Sequence, residues 1–179
     1  MFVNRYTNAA IALHWLIGLL IFAAFPIGLI MSNMSFTPFT LKLYSWHKWI
    51  GVTVFGLAII RLLWRITHQP PPAKINHREK ILAHIAHFAL YVLLFAIPIS
   101  GWLMSSAHGY QTVYLGIWPL PDLVAKNEAL AKTLADIHSR LNWILSGLVA
   151  LHVLGALKHH MIDRNDVLTR MLPLWKRRH

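Results

Sequence analysis

His138-Ser-Arg-Leu-Asn-Trp-Ile-Leu-Ser-Gly-Leu-Val-Ala-Leu-His152, running on to Lys158-His159-His160, is the stretch whose reading decides the fold. Its apolar run reads as a membrane-spanning helix from His138 to about Met161. At about 100° and 1.5 Å per residue, the two histidines that bound the stretch lie about 40° apart in azimuth and about 21 Å apart along the axis. One face of one helix therefore offers an imidazole near each side of a bilayer. What those rings do depends on which other histidines reach the same two depths.

Three further apolar segments precede this one. The first runs from about Ala9 to Met31, carries His14, and lies in a stretch without Lys, Arg, Asp or Glu between Arg5 and Lys42. The second opens at about His47 and ends near residue 66. Its uncharged centre, Trp49 to Ile60, is short for a span, so Arg61 and Arg65 must snorkel or answer a buried negative group. The third, residues 81–105, holds His84 and His87 one turn apart, with Pro98 and Gly101 expected to kink its later half. With 56% hydrophobic and 13% charged residues, the composition belongs to a polytopic membrane protein. The expectation is one all-α domain over residues 1–179, a bundle of four transmembrane helices (about 9–31, 47–66, 81–105 and 138–161).

Charge orients it. Arg5, the connection with Arg61, Arg65, Lys74, Arg78 and Lys80, and the tail with Lys158, Arg164, Arg170, Lys176, Arg177 and Arg178 fall on one side. Lys42, Lys48, Lys126, Lys132 and Arg140 fall on the other, so both termini are expected in the cytoplasm. The net charge of +11 is accounted for by these flanks and does not point to nucleic acid, because the aromatics sit in apolar runs. The first apolar run is too long for a signal-peptide core. The absence of cysteine excludes disulfides, covalent c-type haem and cysteine-ligated iron–sulfur clusters.

In that topology His14 and His152 lie toward the cytoplasmic side, and His47 and His138 toward the outer side. Two helices supply one imidazole each at each depth, as bis-imidazole ligation of two b-type haems requires. Gly18 and Gly51, each four residues beyond a ligand, leave room for a porphyrin edge. Arg61 and Arg65 share a helix face with His47 and suit bidentate contact with haem propionates. His84, His87, His159 and His160 are candidates for contact with a quinone or for proton relay. His68, His77, His108 and His179 read as loop or terminal residues. Zinc would need three or four ligands at one depth with acidic groups nearby, and the spans as drawn hold no carboxylate.

Several motifs together resemble the bacterial cytochrome b561 family of small four-helix dihaem membrane proteins. They are His14-Trp15, His47-Lys48 with Gly51, Arg61-Leu-Leu-Trp-Arg65 followed by Pro70-Pro71-Pro72, Ala83-His84-Ile-Ala-His87, Pro98-Ile-Ser-Gly101-Trp102, and His138 with His152. The likeness extends from about Tyr6 to Pro173. It implies residence in the bacterial inner membrane and iron ligation by His14, His47, His138 and His152. It further implies an oxidoreductase that takes electrons from superoxide at the periplasmic face and reduces ubiquinone. The alternative is a cytochrome b subunit or carrier linking a dehydrogenase, a hydrogenase or a periplasmic partner to the quinone pool, with the 106–137 loop as its docking surface. A histidine-lined transporter would lack haem absorbance altogether.

Overall fold

The computed structural model describes residues 5–72 and 75–173; Lys74, Lys176, Arg177, Arg178 and His179 fall outside them. Four helices dominate: α1 (Asn8–Ser32), α2 (Pro38–Thr67), α3 (His77–Ala107) and α4 (Glu128–Met161). Each is long and apolar enough to cross a membrane. The cap of each is written in the sequence. Thr7, Thr37, Asn76 and Asn127 accept hydrogen bonds from the first-turn N–H groups of α1, α2, α3 and α4, and Pro38 adds its preset φ to the start of α2.

α2 and α4 begin well before His47 and His138, by nine and ten residues (Pro38 to His47, Glu128 to His138). The polar first turns that hydropathy excludes from a span are held by caps rather than by lipid. Glu128 sits in the first turn of α4, where a carboxylate complements the helix dipole. His47 and His138 are therefore interior helical residues, and Lys42, Lys48 and Asp136 ride on the same helices.

Neighbours in sequence pack closely, α1 on α2, α2 on α3 and α3 on α4. α1 and α4 instead meet through side chains, such as Phe25 against Trp143 at 5.4 Å between ring centres. The interior is correspondingly thin: among the described residues ten hydrophobic side chains are buried, Ala58, Val54, Leu93 and Leu145 among them. A bundle that leaves its centre open and its outside apolar has room for a large inserted group.

At the end carrying both termini, a 3₁₀ turn (Thr169–Met171) straps across the bundle. The Trp15 indole donates to the Met171 carbonyl at 2.7 Å, Arg5 donates to the Leu172 carbonyl at 3.0 Å, and the buried Arg170 donates to the Pro72 carbonyl at 2.8 Å. At the opposite end the α3–α4 connection folds into an antiparallel hairpin, β1 (Val113–Tyr114) with β2 (Trp118–Pro119).

Candidate functional site

Two imidazole couples lie inside the bundle. His47 of α2 faces His138 of α4 with ring centres 6.2 Å apart and planes at 80°. His14 of α1 faces His152 of α4 at 6.0 Å and 75°. Two imidazole nitrogens each about 2 Å from a shared metal stand about 4 Å apart, and their ring centres, slightly more than 1 Å farther out on each side, stand about 6 Å apart. Both couples have that spacing.

The couple farther from the termini is oriented by backbone. His47 Nδ1 lies 3.1 Å from the Ala24 carbonyl of α1. His138 Nδ1 lies 3.1 Å from the Ile97 carbonyl of α3 and 3.0 Å from Ser100 Oγ. A ring whose Nδ1–H donates to a carbonyl has its Nε2 lone pair free for a metal. Room for each ring comes from a glycine four residues after that carbonyl. A Cβ on Gly28 would stand 3.2 Å from His47 Cε1, and one on Gly101 would stand 3.0 Å from His138 Cε1. Pro26 and Pro98 lie between carbonyl and glycine on their respective helices. The two odd-numbered helices thus carry the same cradle, a correspondence that the differing spacings Pro-Ile-Gly and Pro-Ile-Ser-Gly obscure in sequence.

Two cavities flank this couple. One of about 1050 Å³ is lined by His47, His138, Gly51, Leu93, Leu145 and other mainly apolar residues. The second, about 580 Å³, reaches His47 and His138 from the side of Lys48, His108 and Tyr110. Pockets for small organic ligands fall in the range of roughly 300–1,000 Å³. Gly18 and Gly51 have nothing within 4 Å of an added Cβ, so both face open space as the sequence reading requires.

The second couple has a third imidazole beside it: His87 of α3 lies 5.5 Å from His152. Arg61 donates to the Ala10 carbonyl, one turn before His14, at 3.0 Å. Arg65 lies over the Tyr91 ring at 5.8 Å, and the Tyr91 hydroxyl is buried without a hydrogen-bond partner. An orphaned phenol beside guanidiniums is the environment that a propionate would complete.

The remaining candidates divide. His84 is exposed and bonded through Nδ1 to the Lys80 carbonyl of its own helix, so it does not join His87 at the couple. His159 lies 2.8 Å from Asp163 Oδ2, and Lys158 bridges Asp163, at 2.8 Å, and Glu79 of α3. The Lys158 hydrogen bond holds the Asp163 carboxyl below its ordinary value, so at neutral pH Asp163 is an anion and not a proton source. His160 is exposed. Glu79 lies outside the third apolar span, which starts at residue 81, whereas α3 starts at His77 and so carries Glu79 in its first turn.

Four membrane-crossing helices around two imidazole couples define a class, the bundle-type membrane cytochromes. The family model described as prokaryotic cytochrome b561 matches residues 5–174, and the chain belongs to that family. It is 37% identical to cytochrome b561 homolog 2 of Escherichia coli (strain K12), over 94% of this chain and 92% of that protein. It is 30% identical to the probable superoxide oxidase CybB of Yersinia pestis, over 95% and 97%, and 27% identical to cytochrome b561 homolog 1 of Escherichia coli, over 96% and 98%. The chain is thus a bacterial membrane electron-transfer protein of a family that binds b-type haem. Ring spacing, freed Nε2 atoms, glycine cradles and the orphaned Tyr91 hydroxyl all fit that group.

Proposed function

We propose that the chain holds two b-type haems, one between His47 and His138 and one between His14 and His152, and that it oxidises superoxide at one membrane face and reduces ubiquinone at the other. The observation that carries this reading is the pair of imidazole couples, each at the spacing a shared metal needs and joined by a single helix, α4. The name of the Yersinia pestis relative supplies the substrate. Two superoxide anions each give up one electron and leave as dioxygen; one quinone gains those two electrons and two protons and leaves as quinol. Bound haem would supply the one-electron exchange between the faces.

The protein's own residues do the rest. The Ala24 and Ile97 carbonyls fix which nitrogen His47 and His138 present. Lys48, on the smaller cavity, makes its mouth attractive to an anion. At the opposite face His87, beside His152, and His159, anchored by Asp163, are the imidazoles placed to pass protons toward quinone. The distribution of Lys and Arg supports a cytoplasmic position for that face, with both termini, in a bacterial inner membrane.

Rapid mixing of superoxide with the oxidised, haem-loaded protein in detergent tests the activity. Reduction faster than the uncatalysed background is expected without any partner protein. No reduction above background removes the enzyme and leaves a carrier between other redox proteins. Two variants probe the cofactor sites. Gly51→Leu should exclude haem from the large cavity, seen as loss of haem absorbance while helical circular dichroism persists. Arg61→Gln should lower the midpoint potential of the haem nearer the termini, because the lost cation had disfavoured the oxidised iron; an unchanged potential in a redox titration removes Arg61 from that site.

A further inference from the structure

The hairpin between α3 and α4 lies against a membrane-spanning helix well below its end. The Trp49 indole of α2 donates to the Val113 carbonyl at 2.7 Å, and Thr53 Oγ1 lies 3.0 Å from the Tyr114 hydroxyl. If the hydrocarbon begins at Arg61 or Arg65 and is about 30 Å thick, it ends near Leu41 or Ser45 on α2 at about 1.5 Å per residue. Trp49 and Thr53 then sit between about 6 and 18 Å inside that limit. The hairpin touching them is inside it too, with its base toward the limit, where Lys48 Nζ donates to the Tyr110 carbonyl at 3.2 Å and the lysine stem snorkels outward.

Its composition suits that depth. From Gly109 to Pro121 no residue carries a formal charge. Non-helical backbone survives in hydrocarbon only when its polar groups are paired, and here they pair locally. Leu120 donates to the Thr112 carbonyl at 2.8 Å, Ile117 to Tyr114 at 3.1 Å and Gly116 to Val113 at 3.3 Å, while Pro119 and Pro121 have no N–H to satisfy. At the tip Leu115 takes a positive φ of 53°, a conformation costly for a bulky residue and ordinarily left to Gly or Asn. The outward side chains are apolar, with Ile117 83%, Trp118 71% and Leu115 55% exposed.

We infer that this hairpin is a lipid-embedded element: its tip dips into the leaflet away from the termini, with Leu115, Ile117 and Trp118 against acyl chains. Its lipid-facing surface is continuous with that of α2. The chain wall it adds beside α2 includes Thr112 and Leu120, which line the larger cavity, so lipid rather than water covers the cavity's flank there. A soluble redox partner would then dock on the charged end of the connection at Lys126 and the first turns of α4 at Lys132, and not on the tip.

The absence of native cysteine makes the test direct. Ile117→Cys, Lys132→Cys and Leu19→Cys are each spin-labelled in the full-length, haem-loaded protein and reconstituted in phosphatidylcholine–phosphatidylglycerol vesicles. Relaxation by dioxygen, which concentrates in lipid, is compared with relaxation by a water-soluble nickel chelate. Leu19, 65% exposed on α1 and away from both cavities, marks lipid, and exposed Lys132 marks water. The label at 117 should match the one at 19, with dioxygen severalfold more effective than nickel relative to position 132. Nickel accessibility like that at 132 overturns the inference in favour of an aqueous docking loop. Weak relaxation by both reagents overturns it in favour of burial against protein, such as a second copy.

Discussion

Replacing His138 by alanine should remove one of the two proposed haems and leave the other. A b-type haem has no covalent link to the chain, so the two axial imidazoles are the bonds that hold its iron. With His138 gone, the iron keeps His47 alone, in a cavity lined mainly by apolar side chains. The second couple stands about 21 Å away along α4, too distant to repack around the change. Haem content by pyridine haemochromogen should fall from two per chain to one, and the redox titration should lose one component. His14→Ala should remove the other component, and the two difference spectra should sum to that of the parent. If both variants lose the same component, the pairing by depth is wrong.

His87 sharpens that experiment. Its ring is nearer to His152 than His14 is, at 5.5 Å against 6.0 Å, so distance alone leaves two candidates for one position. Geometry favours His14, because Arg61 reaches the backbone one turn ahead of it and so ties α1 to this level of the bundle. His87→Ala should retain both haems and slow quinone reduction. Loss of a haem in His87→Ala with retention in His14→Ala would reverse the assignment.

How far the residues announced this arrangement varies with the kind of interaction. The couples were legible because helical periodicity converts sequence spacing into azimuth and depth, and four spans fix which ends meet. Helix starts were less so. Hydropathy stops where lipid stops, while α2 and α4 continue outward on Thr37 and Asn127 caps through Lys42, Glu128 and Lys132. The hairpin was hidden for a similar reason. Its strands are two residues long, and its depth is set by the Trp49 and Thr53 contacts, not by local pattern. The separation of His84 from His87 was also out of reach. Residues three apart lie about 60° from alignment, enough for one ring to reach His152 while the other stays exposed and bonds a carbonyl of its own helix.

The glycine cradle leads to the second large effect. Gly101→Ala should weaken haem binding at the His47–His138 couple about 10- to 100-fold, the usual cost of disturbing the groups that orient a metal-bound histidine. The added Cβ would stand 3.0 Å from His138 Cε1 and 3.3 Å from Nδ1. The ring cannot easily retreat: its Nδ1 is held by the Ile97 carbonyl and Ser100, both on the same helix turn as the glycine. Any shift away from α3 stretches those Nδ1 contacts and moves Nε2 from the place where it can share a metal with His47. Against this stands a gain in helix propensity of about 1 kcal/mol for Gly to Ala, smaller than the roughly 1–3 kcal/mol typical of overpacking. The two terms fall on different observables. Unfolding of the apoprotein should change little, while haem titration should show a weakened site beside an unaffected one. Gly147→Ala, whose Cβ meets nothing within 4 Å, is the matched control and should leave both sites at parental affinity. Equal affinities in Gly101→Ala and Gly147→Ala would mean that the His138 ring is positioned by something other than its seat on α3.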